Sequence, residues 1–404
     1  MKRFLDPARS LQLVALLTPP LAVVAPLSLA VVLPLAALTA GLAAWRGGAL
    51  GLPPRGAALV MLAALAWSGA SAVWAFEPAL VRSVWFQIAG LAVAGLALLG
   101  VALRLEDDRR TAIGSALAIG LVIALTMLCL EWASVRLFDS SLMATFHTRR
   151  PFSSAAFNRG VATLSILVWP AALAVWRRHG ALGATALILA TFVVLTRFDS
   201  MAAIVAMSAG TAIGAAAFWR ATLVARAFAA VMVLAAAAAP VLPRLPAVDT
   251  LVERTNEMVG PGNGVISIVH RLQIWQFTAE AVAVRPVTGW GLNAARDLPG
   301  GIGEITPGAR RLPLHPHNAI LQWWLELGAV GAALGTALVV LAILGAGRLG
   351  KPAAGPDPTR PAALAAVASA IAVALVGYGI WQGWWMAALW LAAALMAAVG
   401  GSKR

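Results

Sequence analysis

The chain has 404 residues, 61% of them hydrophobic and 11% charged, and its Lys and Arg outnumber Asp and Glu by 30 to 16. Mean hydropathy is +0.86, whereas a soluble domain runs about 45–50% apolar and about 25% charged. A water-soluble enzyme, a secreted domain and a disordered chain are excluded, which leaves an all-α polytopic membrane protein.

Cys129 is the single cysteine, so neither an intramolecular disulfide nor a thiol-rich metal site is available. A net charge of +14 would suggest nucleic acid in a soluble protein. In a membrane protein it is first divided between the two faces, and no nucleic-acid partner is expected. Met1-Lys2-Arg3 followed by apolar sequence fits a first span held by cytoplasmic charge better than a cleaved signal peptide.

Apolar runs between polar breaks predict about 12 transmembrane helices, near 11–24, 26–45, 57–75, 82–103, 111–133, 160–176, 181–196, 200–219, 223–241, 328–347, 361–378 and 384–400. Each approaches the roughly 20 residues that a bilayer requires. Pro19, Pro20 and Pro26 stand where the first run must turn back; a single kinked span there would invert everything downstream. Loop charge supplies the test. With the N-terminus in the cytoplasm, 17 of the 30 basic residues, all three lysines included, fall on cytoplasmic loops and span ends. The short loops that carry them obey the positive-inside rule, and an even span count returns the C-terminus to the same side. The opposite face holds 13 arginines, from Arg82 to Arg311, and no lysine. Arginine grips phosphate through a bidentate fork and stays charged. As a set these arginines suggest an anionic ligand, against the plainer reading of local pairing and solvation.

The chain then divides into three parts. Residues 1–241 form spans one to nine, with an outer loop near 134–159 that carries Arg149, Arg150 and Arg159. Residues 242–327 form one large outer-face loop, and 328–404 the last three spans and a cytoplasmic tail. Within the large loop, 243–263 is rich in Pro, Gly and charge. From Ile266 to Val284 the spacing is helical, with Ile268, Leu272, Trp275, Ala279 and Val282 along one side. Arg285-Pro286 ends that helix, Gly289-Trp290-Gly291 reads as a turn, and 292–314 as irregular chain. The G-x-G-x-x-A match at 289–294 lacks the preceding strand that a dinucleotide fold needs. No P-loop, HExxH pair, nucleophile elbow or spaced metal ligands occur, so no metal and no cofactor is expected.

The strongest local signal is HPHNAILQWWLELGAVG at 315–331. His315, His317 and Asn318 precede a helix that runs into the tenth span, and Asn318 is placed to cap it. The first-turn amides then form a seat for an anionic phosphate, and a histidine beside that seat, with a reference pKa of about 6.5, is suited to general-base work. A histidine that only caps or hydrogen-bonds at the interface fits the same residues. Of the 16 tryptophans, most are expected in interfacial belts, with Trp323 and Trp324 beside His317 candidates for sugar stacking or for lining a lipid entry groove.

The spacing H-N-x-x-L-Q-x-x-x-E-x-G-x-x-G over His317, Asn318, Leu321, Gln322, Glu326, Gly328 and Gly331 resembles the signature of the O-antigen ligase and O-antigen polymerase superfamily. Arg271-x-x-Ile274-Trp275, Arg285-Pro286 and Gly289-x-Gly291 are similar to the segment that precedes it, and Arg197 to an arginine at the outer end of a span, although Thr-Arg-Phe-Asp-Ser here replaces the usual Ser-Arg-Gly. The resemblance implies a periplasmic active site in the bacterial inner membrane. The implied donor is a glycan on undecaprenyl diphosphate; for a ligase, the acceptor is a sugar hydroxyl of lipid A–core oligosaccharide. It further implies an inverting, metal-independent transfer with His317 as general base and Arg197 and Arg271 on the diphosphate. Arg149, Arg150, Arg159, His315, Asn318, Trp323 and Glu326 are the expected substrate-binding residues. A polymerase that elongates lipid-linked glycan shares the signature. An anion transporter would need ionisable residues near the midplane, of which the spans are almost free.

Overall fold

The computed structural model describes residues 6–47, 51, 53–138, 154–259, 266–306, 309–350 and 357–401. Twelve helices follow one another: α1 Pro7–Val24, α2 Leu29–Arg46, α3 Arg55–Ala70, α4 Pro78–Leu103, α5 Asp107–Phe138, α6 Asn158–Leu195, α7 Met201–Ala238, α8 Pro246–Val259, α9 Ile266–Val284, α10 Ala319–Ala346, α11 Thr359–Val376 and α12 Gly383–Gly400. A two-stranded antiparallel ladder, β1 Glu304–Thr306 with β2 Ala309–Arg310, lies between α9 and α10. Among the described residues, all helices except α8 and α9 are long and apolar enough to cross a membrane, ten in total.

Two of these ten, α6 and α7, fold back to make two crossings each. As a straight rod, the 38 residues of α6 would span roughly 57 Å. Yet Phe157, just before α6, meets Phe198, just after it, with ring centroids 5.4 Å apart. The reversal falls at Gly180, where φ is +74°. In α7 the helical dihedrals break at Arg220. Ala202 then packs near Gly377 at one end, and the Ala236 carbonyl accepts from Trp324 Nε1 at the same end. The ten helices thus make twelve crossings, as the apolar runs predict. α1 and α2 are separate helices joined at Pro26–Ser28, so Pro26 stands at the turn, whereas Pro19 and Pro20 lie inside α1.

Asp6 and the end of α12 lie on one face. Arg109 bridges to Asp6 at 3.0 Å, and Arg110 and Arg177 donate to the Ala397, Ala398 and Val399 carbonyls that end α12. Two guanidinium groups thereby satisfy carbonyls that a helix terminus leaves without amide partners. The loop between α7 and α10 occupies the opposite face. Between the faces, small residues let helices approach closely. Ser369 of α11 accepts from Trp169 of α6 and donates to the Ala206 carbonyl of α7, both at 2.8 Å. Leu59, Leu62, Phe86, Val93 and Leu234 are each more than 60% exposed along the spans, the apolar girdle that lipid covers.

α10 reverses as well. Trp323 packs its ring on Gly335, twelve residues further along, where a straight helix would hold the two about 18 Å apart. The break is Gly328, at φ +64° and ψ −163°. Residues 319–327 rise away from the span, and 329–346 descend through it. The tenth crossing therefore begins where the apolar run predicts, one turn beyond Glu326.

The large loop is more ordered than its composition suggests. α9 has the predicted bounds. The Pro-, Gly- and charge-rich stretch 243–263 contains α8, a 14-residue helix, because its apolar residues recur at helical spacing behind the N-terminal proline. Residues 292–314 hold a short 3₁₀ turn at Ala294–Arg296 and the β1–β2 ladder.

A Cβ at position 328 would collide with the Val287 carbonyl, in a conformation that L side chains rarely adopt. Gly328→Ala is expected to destabilise the fold by about 2–3 kcal/mol, read as a lowered thermal midpoint in detergent; an unchanged midpoint would contradict the reversal.

Candidate functional site

Breaking α10 at Gly328 removes hydrogen bonds from its carbonyls, and the loop after α9 supplies the replacements. Trp290 N donates to Leu325 O at 2.9 Å, Gly291 N to Glu326 O at 2.8 Å, and Trp67 Nε1 of α3 to Leu327 O at 2.9 Å. Ala329 N is taken by Pro286 O at 2.8 Å. Gly289, at φ +69°, lies directly on the Glu326 backbone, where any Cβ would clash. The R-P…G-x-G run and the E-x-G element of the sequence are thus two halves of one backbone joint. Above it, Arg285 lies 4.3 Å from the Trp290 ring and 5.7 Å from Phe76, a cation–π stack that holds the loop.

Glu326 is fully buried. Its carboxylate accepts from Asn293 N and Trp381 Nε1, both at 2.5 Å, and from Gln322 Nε2 at 3.0 Å. Gln322 in turn accepts from Ile380 N. Glu326 therefore ties α10 to the 290s loop and to the turn between α11 and α12. These contacts are all internal to the protein.

That turn completes the histidine site. His317 Nδ1 donates to the Gly377 carbonyl at 2.7 Å, which fixes the neutral tautomer with its lone pair on Nε2. Among the described residues Nε2 takes no hydrogen bond. The backbone of His317 is held at φ +54°, an uncommon conformation for a non-glycine residue. His315 stands against it, ring centroids 4.2 Å apart, with Nδ1 at 3.2 Å from His317 N and Nε2 at 3.2 Å from Gly379 N. A neutral imidazole accepts at one nitrogen only, so one of these contacts is a hydrogen bond and the other a close approach. Asn318 caps α10 as predicted, accepting from Leu321 N at 3.1 Å.

α9 brings the cation. Trp275 Nε1 donates to Pro316 O at 2.9 Å, pinning α9 to the histidine loop, and Arg271 lies one turn earlier on the same side. Arg271 is partly buried, and no carboxylate is bonded to it among the described residues. Burial lowers its pKa from the ordinary arginine value. Burial is also the main cause that lowers His317 below its usual 6.5; the Gly377 hydrogen bond opposes the shift, and Arg271 and His270 add to it. Burial, with His317 and Arg296 nearby, lowers His315 to about 3. Both rings are neutral near pH 7.

Arg197 stands on a different element. Its guanidinium lies 5.7 Å from the ring of Trp132 on α5, and the charges acting on His317 are Arg271 and His270. Arg159 comes closer by contact, 5.8 Å from the Trp384 ring; Trp384 packs edge-on against Tyr378 at 4.6 Å, next to Gly377. Trp323 turns toward Gly335, within the α10 reversal. Arg149 and Arg150 lie outside the described residues. The sequence reading missed the 377–382 turn, which supplies the carbonyl for His317 and the indole for Glu326. Its signal was the single tyrosine of the chain, set between two glycines beside Trp381 and Trp384.

Residues 184–335 match the O-antigen ligase family. That segment contains Arg197, Arg271, His317 and both halves of the Gly328 joint. Over that segment the chain is similar to the O-antigen ligase superfamily. It is 26% identical to a protein of Rickettsia prowazekii, provisionally named a polysaccharide ligase, over 69% of this chain and 66% of that one. A relative in Rickettsia felis with the same provisional name is 25% identical over 81% and 76%. One in Rickettsia bellii reaches 34% over 31% of each chain. The match covers just under two thirds of the length of the R. prowazekii and R. typhi relatives, 66% and 65%. Within the superfamily match, Gly377 and Trp381 have no place; they lie beyond its end.

Two outcomes follow from the neutral histidines. His317 is expected to titrate below 6.5 by imidazole NMR, and Arg271→Gln, which removes a cation that disfavours imidazolium, to raise that midpoint; no rise would place Arg271 away from the ring. His315 binds fewer protons folded than unfolded between its shifted value of about 3 and 6.5. Stability is therefore complete above 6.5 and declines as pH falls. His315→Asn should flatten this decline in thermal unfolding measured at pH 7.5 and 4.5.

Proposed function

We propose that the chain is an O-antigen ligase, a glycosyltransferase of the bacterial inner membrane. It moves a glycan from undecaprenyl diphosphate to a sugar hydroxyl of lipid A–core oligosaccharide. The reading places both termini in the cytoplasm and the α9–α10 face in the periplasm, in accord with the loop charges. The observation that carries it is the His317 ring: Nδ1 is committed to a carbonyl, and among the described residues Nε2 is open and Arg271 beside it has no carboxylate to neutralise it.

In the proposed reaction the acceptor hydroxyl gives its proton to Nε2 of His317 as its oxygen attacks the anomeric carbon. The bond from that carbon to the diphosphate oxygen breaks, and the electron pair leaves on undecaprenyl diphosphate. Attack opposite the leaving group inverts the anomeric centre. Arg271 neutralises the charge that develops on the diphosphate, with Arg197 assigned the outer phosphate and Arg149, Arg150 and Arg159 the phosphorylated core. Fixed guanidinium groups in a half-buried site stabilise such charge without reorganising, the service a divalent cation gives in other transferases. Because the imidazolium forms beside Arg271, the proton has a strong drive to leave for the departing diphosphate or for water.

The test is reconstitution of the purified protein with undecaprenyl-diphosphate-linked glycan and lipid A–core in the presence of EDTA. The unsubstituted protein is expected to give lipopolysaccharide of higher mass. His317→Ala should lower the rate by about 10²–10⁴-fold and Arg271→Ala by about 10²–10³-fold. Longer lipid-linked chains in place of lipopolysaccharide would make the protein a polymerase. Full transfer by His317→Ala would remove the histidine as base.

A further inference from the structure

A second cation stands near the turn that anchors His317. Tyr378 directly follows Gly377, the residue whose carbonyl fixes the histidine ring. Its own ring packs edge-on against Trp384 at 4.6 Å and lies 6.0 Å from Trp385. Trp384 is buried, and its Nε1 donates to Gln382 Oε1 at 2.8 Å. The guanidinium of Arg159, an exposed residue at the start of α6, lies 5.8 Å from the same Trp384 ring. One indole therefore positions both a cation and a phenol. Among the described residues the half-buried Tyr378 hydroxyl makes no hydrogen bond, and no carboxylate is bonded to Arg159. Burial raises the Tyr378 pKa above the ordinary tyrosine value and Arg159 opposes the rise, so the phenol is a neutral donor near pH 7.

We propose that Tyr378 and Arg159 form a subsite for an anionic sugar of the acceptor, one that carries a phosphate or a carboxylate; the inference rests on the transferase reading above. The chemistry of the pair selects this ligand. A guanidinium over a ring keeps its charge for an anionic oxygen, and a buried phenol ordinarily has a hydrogen-bond partner, which a sugar oxygen supplies. Position selects the acceptor over the donor. In an inverting displacement the attacking hydroxyl and the leaving diphosphate stand on opposite sides of the anomeric carbon. His317 takes the proton of the attacking hydroxyl, so the turn that anchors its ring borders the acceptor. Arg271 comes from α9, and its charge acts on His317 as well as on the leaving group. Arg159 is absent from the charges that act on His317; it is linked to that ring only through Trp384, Tyr378 and Gly377. The subsite thus holds a group set back from the reacting hydroxyl, and it chooses among acceptors by charge without touching the bond that breaks.

The experiment measures transfer kinetics of the full chain in nanodiscs with undecaprenyl-diphosphate-linked glycan as donor. The acceptors are native lipid A–core, the same material dephosphorylated with hydrofluoric acid, and a carboxyl-reduced form. Tyr378→Phe keeps the ring against Trp384 and is expected to raise the acceptor KM about fivefold, and Arg159→Gln about tenfold, the loss of one neutral and one charged hydrogen bond. Donor KM and kcat should hold. With the acceptor stripped of its anion, the unsubstituted protein should show the raised KM and Arg159→Gln should add nothing further. The treatment that has this effect tells phosphate from carboxylate. An unchanged acceptor KM, a rise in the donor KM in its place, a fall in kcat, or a full Arg159→Gln effect on both treated acceptors would each overturn the subsite. Calorimetric binding of deacylated core oligosaccharide separates the two readings. Binding weakened by Arg159→Gln without any glycan transfer leaves the subsite standing and removes the ligase. Transfer with an unaltered acceptor KM leaves the ligase and removes the subsite.

Discussion

A helix that turns back on itself inside a membrane protein leaves backbone carbonyls that must find donors, and lipid offers none. The α10 reversal at Gly328 meets this constraint with a second segment of backbone, residues 286–291, and one indole from α3. Everything near His317 depends on that repair. The rising arm of α10 carries Asn318, Gln322 and Glu326 above the span. The loop that repairs the break is the continuation of α9, which holds Arg271. Position 328 therefore couples the cation and the histidine through the same set of amide bonds, and the buried carboxylate of Glu326 locks the last turn of the protein onto them.

Charge is treated differently on the two faces. Where the termini lie, arginines close carbonyl ends and pair with Asp6, Asp107 and Asp108. On the opposite face Arg136, Arg159, Arg197 and Arg285 each lie over an aromatic ring. A guanidinium over a ring is positioned without being neutralised. The abundance of tryptophan on a chain with a single tyrosine thus serves cation placement as well as interfacial anchoring.

Much of this was legible in the residues. Spans, hairpin count and segregation of charge follow from apolar run lengths and loop composition, because lipid imposes one simple rule on every segment. The bounds of α9 and the capping role of Asn318 follow from local helix chemistry. The partners of Glu326 were not legible: its four-residue spacing from Gln322 marks a helix face, but its other donors come from residues 293 and 381, far away in the chain. The Gly377 carbonyl was invisible for a related reason, since a backbone oxygen has no residue-type signature. α8 hid within a stretch whose prolines and glycines lie at its edges.

The His317 ring is oriented by residue 377, and the carboxylate that braces its helix is bonded to residue 381, while the family match ends at residue 335. The segment that carries the superfamily signature is accordingly not a portable cassette. Grafted into another membrane scaffold, it would bring a histidine free to rotate and to choose either tautomer. A lineage that diverges in its final hairpin can thus change the behaviour of this histidine without altering one residue of the signature.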